Sequence, residues 1–271
     1  MSSQKHAGPL AKDIMGRGVV AVYQESRVEK AVRAMAEHDI GSVVVMDNLG
    51  PCGVFTERDL LSKVLARGRE PDATAISEVA SPKFPSIDAS KTLADVAGAM
   101  IAEKSRLMVF DGADLVGMVT PTDLVRAIKD IDIDFSILKV ISTDVLTASF
   151  GTPVEAVVKT MDERRVGSAL LSEGGGWDGI FTERDLVKRV IAKRRRLDSP
   201  VVEVATRPLV TADPSILGRE AARVMSDHRL KRLPLVVDGE GVGVVTARDI
   251  VEAFASASRP RAPRVDWLRW N

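Results

Sequence analysis

One octapeptide pattern, present four times, constrains what this chain can fold into. It reads Gly53-Val-Phe-Thr56-Glu-Arg-Asp59-Leu60, then Gly117-Met-Val-Thr120-Pro-Thr-Asp123-Leu124. It returns as Gly179-Ile-Phe-Thr182-Glu-Arg-Asp185-Leu186 and Gly243-Val-Val-Thr246-Ala-Arg-Asp249-Ile250. The glycines stand 64, 62 and 64 residues apart, and the pattern occurs nowhere else in the 271 residues. A fixed period of this kind means that each copy is one supersecondary unit, which buries its apolar face only against its neighbours.

The copies extend upstream of the octapeptide. Met35, Met100, Met161 and Met225 each precede a motif glycine by 17 or 18 residues and sit on helical apolar spacing, as in Val28, Val32, Met35. They read as core residues. Short apolar runs follow: Val43-Val44-Val45, Leu107-Met108-Val109, Ala169-Leu170-Leu171 and Leu235-Val236-Val237. Each has the look of a buried strand. A further strand is expected before the helix, at Val19 to Val22 and at Leu209 to Thr211. Polar turns, Asp47-Asn48-Leu49-Gly50 and Glu173-Gly174-Gly175-Gly176, join the next two strands. One unit is therefore strand, helix, strand, turn, strand, helix, and the chain is α/β.

Two classes of copy are distinguishable. Copies one and three share Gly41-Ser42 and Gly167-Ser168 before the strand, and share Phe-Thr-Glu-Arg-Asp-Leu. Copies two and four carry Lys104 and Arg106, or Lys231 and Arg232, at that place. The larger period, 126 residues from Gly53 to Gly179, makes the natural unit a pair used twice. The expected divisions are an N-terminal extension 1–8, copies at 9–68, 69–131, 132–196 and 197–258, and a basic tail 259–271.

Composition removes several classes of function. Hydrophobic residues make up 45% and charged residues 28%, the profile of an ordinary globular protein. Lys plus Arg equals 38 and Asp plus Glu equals 38, which argues against a chain that coats nucleic acid. The balance hides a modest asymmetry. Residues 1–130 hold 16 basic and 18 acidic side chains, and residues 131–271 hold 22 and 20. Cys52 is the only cysteine, so neither an intrachain disulfide nor a thiolate metal cage can form. No apolar run approaches the roughly 18 residues of a membrane span, and Met1 to Lys12 has no signal-like apolar stretch. The expectation is a cytoplasmic protein without membrane contact. No His/Cys/Asp/Glu cluster, Gly-x-Ser-x-Gly elbow or phosphate-binding Gly-Lys loop is present. The expectation is therefore no enzyme and no required metal.

The motif itself supports two readings. A threonine that starts a helix can cap an early N–H, and a carboxylate three residues on can reach back to it. The same geometry suits a ligand. Helix-start N–H groups favour phosphate, and an Asp carboxylate can accept from both hydroxyls of a ribose. Arg58, Arg184 and Arg248, each just before the Asp, add a guanidinium fork for phosphate. One Thr can cap and bind at once.

At this spacing, and behind strand–helix–strand, the four motifs resemble those of cystathionine-beta-synthase-type (CBS) domains, and the resemblance runs from about Pro9 to Ala257. It implies two tandem Bateman modules of two repeats each, forming a disc, as in nucleotide-sensing subunits such as the gamma subunit of AMP-activated protein kinase. It also implies an adenosyl regulatory ligand: AMP, ADP, ATP with an accompanying Mg2+, or S-adenosylmethionine. Asp59, Asp123, Asp185 and Asp249 would then be ribose ligands. Thr56, Thr120, Thr182 and Thr246 would be their partners. Arg58, Arg184 and Arg248 would face phosphate, with Thr122 a weaker substitute in copy two. Lys231, Arg232, Lys104 and Arg106 match positions that carry phosphate-binding basic residues in that subunit. The partners implied are the nucleotide, a regulated protein and a second copy of the chain if the disc forms between chains. The alternative is a nucleic-acid or protein scaffold built on Lys193-Arg194-Arg195-Arg196 and the Arg/Trp tail, which holds Trp267 and Trp270. Vestigial clefts are a third reading.

Overall fold

A computed structural model describes residues 8–258. In repeat one the helix Val28–Glu37 buries Val28, Ala31, Val32 and Met35, a spacing that puts all four on one face. The parallel pairing of Ala21–Tyr23 with Ser42–Asp47 follows, and Gly50–Thr56 closes the sheet antiparallel, with Val44 opposite Val54. The hairpin turn is held by Asp47 Oδ1, which accepts from the N–H groups of Leu49 and Gly50. The four phased methionines are all in cores, none more than 2% exposed.

The first strand departs from expectation in repeat four. Leu209 to Thr211 forms no strand; a single parallel bridge joins Ala212 to Leu235. Pro234 stands where Val44, Met108 and Leu170 donate their N–H groups to the first strand of the other repeats, so that bond is lost and one bridge remains. In repeat one the strand sits at Ala21–Tyr23, slightly later than Val19 to Val22. Residues 130–134, where Asp and Ile alternate, form irregular connecting chain between the modules.

The segment that leads into each repeat packs on the other repeat of its module. Gly16–Arg17 adds to the sheet of repeat two beside Asp114–Val119, and Ala11 and Ile14 enter the core of Leu93, Val96 and Leu124. In return Ile76 and Val79 fill the core of repeat one. The second module repeats the exchange. Phe135 and Ile137 pack with repeat four, and Val201 and Val204 with repeat three.

Sheet faces join the repeats of a module. Val44 and Val54 meet Met108, and Leu170 and Ile180 meet Val244. Helices join the modules. Repeats two and four share one continuous core in which Val125 and Ile128 pack with Met225, Ile250 and Phe254. Repeats one and three exchange residues: Leu61 lies in the core of repeat three and Val187 in that of repeat one. The disc therefore closes within a single chain.

The helices after the motifs differ between the two classes. Repeats two and four continue as α-helix, Pro121–Ile128 and Ala247–Ser258. In repeats one and three a short α-turn gives way to π-helix at Leu60–Val64 and Leu186–Ile191, marked by bonds such as Ala192 N–H to Val187 O at 3.0 Å. The wider turn carries Leu61 and Val187 across into the opposite module. Among the described residues no helix is long and apolar enough to cross a membrane.

Candidate functional site

Each motif pairs its Thr and Asp as a cap, closed in both directions in repeats one, three and four. Thr56 N–H and Oγ1–H both donate to Asp59 Oδ2, at 2.9 and 2.6 Å, and Asp59 N–H returns a bond to Thr56 Oγ1 at 3.1 Å. Thr182 and Asp185 repeat this at 2.9, 2.7 and 3.2 Å. Thr120 donates to Asp123 Oδ2 at 2.9 and 2.6 Å. Thr246 N–H donates to Asp249 Oδ2 at 2.7 Å, and Asp249 N–H to Thr246 Oγ1 at 3.3 Å. One carboxylate oxygen of every motif thus holds the start of its helix.

The second oxygens differ. Asp59 Oδ1 lies 2.7 Å from Lys63 Nζ, and Asp123 Oδ1 lies 2.7 Å from Arg126. Asp185 Oδ1 accepts from Thr206 Oγ1 at 3.0 Å and lies 3.4 Å from Arg189. Asp249 Oδ1 has no polar partner among the described residues. Asp59 and Asp185 are buried, whereas Asp123 and Asp249 are half-buried. Burial pushes the Asp185 carboxyl above its ordinary pKa; Thr182, Arg189 and Thr206 pull it back in part.

The phosphate candidates divide into two sets. Arg58, Arg184, Arg106, Lys231 and Arg232 converge where all four repeats meet, and two buried acids, Glu57 and Glu183, receive most of them. Lys231 Nζ lies 2.5 Å from Glu57 Oε2, and Arg184 lies 3.9 Å from Glu57 Oε1. Arg232 lies 3.1 Å from Glu183 Oε2, and Arg58 lies 2.7 Å from Glu183 Oε1. Arg106 donates to the Gly41 carbonyl at 3.1 Å, and burial lowers its pKa against the pull of Glu57 and Asp59. Lys104, Thr122 and Arg248 are placed otherwise. Lys104 is an exposed helix end whose carbonyl accepts from Arg248 at 2.9 Å, and Thr122 is half-buried.

Glu57, Glu183, Gly41, Gly167 and Thr206 are the residues sequence reasoning passed over. The signal was present for the first four, since Glu and Gly recur only in copies one and three. The glycines keep space for the cations. A Cβ on Gly41 would stand 2.7 Å from Lys231 Nζ, and one on Gly167 1.7 Å from an Arg232 guanidinium nitrogen.

The family profile for the CBS domain matches residues 11–66, 76–130, 137–192 and 201–256. The chain is a CBS-domain protein. Among curated relatives, the uncharacterized Methanocaldococcus jannaschii protein MJ1404 is 24% identical over 270 residues, covering 92% of this chain and 62% of its own. The Bacillus subtilis CBS domain-containing protein YhcV is 30% identical over 115 residues, covering 42% of this chain and 82% of its own. This CBS chain thus spans less than two thirds of MJ1404. Among solved structures, M. jannaschii MJ1225, described as a proposed archaeal homologue of γ-AMPK, superposes with a TM-score of 0.77. It is 19% identical, and 90% of this chain and 99% of that one are covered, which establishes the shared fold.

The scaffold alternative finds its basic run already partnered. Arg194 pairs with Glu29, Arg195 with Glu203 and Arg196 with Asp198, so three of the four charges are offset locally. The tail 259–271 lies outside the described residues.

Proposed function

We propose that this CBS-domain protein is a non-enzymatic sensor whose clefts bind an adenosyl ligand, of the class AMP, ADP, ATP or S-adenosylmethionine, and whose occupancy alters the surface offered to a regulated protein. The observation that carries this reading is the convergence of Arg58, Arg106, Arg184, Lys231 and Arg232 beside the motif helices. Five cations from four repeats gather around two buried glutamates, with Asp39 beside Arg184, and such a concentration of guanidinium and ammonium groups suits phosphate.

The motif carboxylates supply the second half of the reading. Their Oδ2 atoms are committed to the caps, so ribose hydroxyls would be received by Oδ1. That oxygen carries a half-exposed side chain in three repeats: Lys63, Arg126 and Arg189. Each cation reaches solvent, so ribose hydroxyls that donate to Oδ1 can take its place on the carboxylate. Signalling requires that the ligand prefer one of two arrangements of the modules. Helical packing between the modules is the element available to shift.

Native mass spectrometry of the purified protein tests the reading, together with thermal melts in each ligand. A bound adenosyl mass is expected, with fewer ligands in Asp123→Ala and Asp249→Ala. At a ligand concentration 100 times Kd, linkage adds roughly 2.7 kcal/mol to stability. If no adenosyl ligand raises the melting temperature at millimolar concentration, the reading fails.

A further inference from the structure

The two modules are related by a pseudo-twofold exchange that sets Glu57 against Glu183 and Arg106 against Arg232. Under the same exchange Lys231 corresponds to Ser105, the residue before Arg106. The centre is therefore lopsided. Glu57 receives a lysine from the opposite module, across 174 residues of sequence. Glu183 receives no such lysine. Its Oε1 is buried without a hydrogen bond, since the nearby Arg58 Nε–H, 2.7 Å away, is not directed at it.

The Lys231–Glu57 pair ties repeat four to repeat one, diagonally across the disc. Lys231 Nζ is also the ammonium nearest the Gly41 turn, and its neighbours within electrostatic reach include Arg184 and Arg106. Burial lowers its pKa, and Glu57 is the group that opposes this. An anion at the centre therefore competes with Glu57 for the same ammonium. The displaced carboxylate has a second position within reach, because Arg184 already lies 3.9 Å from Glu57 Oε1. Arg184 can be spared, since its other acid, Asp39, is held by Lys188 at 2.9 Å.

We propose that Glu57 is an internal competitor for Lys231, so that a phosphate group entering the centre displaces the Glu57 carboxylate and releases the contact between repeats four and one. Phosphate occupancy and the seating of the two modules are then opposed through one side chain. The identity of the ligand that brings the phosphate rests on the nucleotide reading above; the competition itself does not.

Calorimetric titration of wild type and Glu57→Gln with AMP and with adenosine tests this. The neutral amide keeps the volume and frees the ammonium. AMP is expected to bind Glu57→Gln about tenfold more tightly than wild type, with adenosine unchanged. Equal AMP affinity in the two proteins, or an equal gain for adenosine, overturns the proposal. If wild type binds neither compound, the nucleotide reading has failed by itself, and melts in sodium pyrophosphate decide the competition. Greater stabilisation of Glu57→Gln than of wild type by pyrophosphate supports it, and equal stabilisation overturns it. Should Glu57→Gln not fold, Glu57→Asp withdraws the carboxylate by one methylene and is read in the same way.

Discussion

Thr206 Oγ1 donates to Asp185 Oδ1 at 3.0 Å, so the second oxygen of this buried motif carboxylate meets a neutral hydroxyl as well as Arg189. In repeat one the matching bridge position is Ser81, which makes no bond to Asp59, and Lys63, the counterpart of Arg189, lies 2.7 Å from the corresponding oxygen. Two copies of Phe-Thr-Glu-Arg-Asp-Leu thus sit in different electrostatic surroundings.

The pH dependence of stability follows from this. Burial is the largest influence on Asp185 and raises its pKa above the ordinary 3.8. The folded state then holds that proton more tightly than the unfolded state, and the ionised carboxylate costs stability as pH rises through the raised pKa. In Asp185→Asn the amide keeps an oxygen for Thr182 and presents an N–H to Thr206. Urea midpoints should therefore shift in favour of the variant as pH rises above the ordinary carboxylate value of 3.8. Parallel wild-type and variant profiles would contradict the assignment.

Two glycine substitutions should act in opposite directions. In Gly167→Ala the new methyl falls on the Arg232 guanidinium, forcing it away from Glu183, which is 8% exposed. The expected loss is about 1–3 kcal/mol, because Glu183 loses the hydrogen bond from Arg232 while Arg58 stays 2.7 Å away. Gly98→Ala, on the exposed side of helix Leu93–Glu103, meets nothing within 4 Å. It should stabilise by about 0.5–1 kcal/mol through helix propensity. Chemical denaturation of both variants measures the pair.

Leu61→Ala should weaken the joint between the modules. The side chain is fully buried in the core of repeat three, although it belongs to repeat one. The cavity left should cost about 2–5 kcal/mol. Proteolysis under native conditions should then cut between the modules sooner than in wild type. An unchanged digestion pattern with full stability would show that Leu61 does not join them.

Cys52 should react slowly with thiol reagents. Burial raises its pKa above the ordinary 9.0, and the nearby Asp47 raises it further. Its thiol also donates to the Val45 carbonyl at 3.4 Å. Only the thiolate is nucleophilic, so the rate at pH 7 should fall well below that of a small free thiol. A rate equal to that of the small thiol would count against this environment.

The sequence by itself determined whatever depends on short spans of chain. The Thr–Asp boxes join residues three apart, so Thr56 and Asp59 meet whenever the helix starts there. The methionines are buried because helical spacing places them beside their apolar neighbours. The split into repeats one and three against two and four was also legible, in the glycines and the Glu-Arg that only the first pair carries.

Tertiary structure decided which repeats meet and what the charged residues face. The lead segments exchange between repeats because their apolar residues, Ile14 and Ile76 among them, find cores that the local pattern does not name. Lys231 and Arg232 read in sequence as open phosphate ligands; in the fold they stand on Glu57 and Glu183, 174 and 49 residues away. Spacing reports contacts made within a helix or a hairpin. A partial charge balance at the crossing of four repeats arises only when the disc closes and water is withdrawn from groups the sequence keeps far apart.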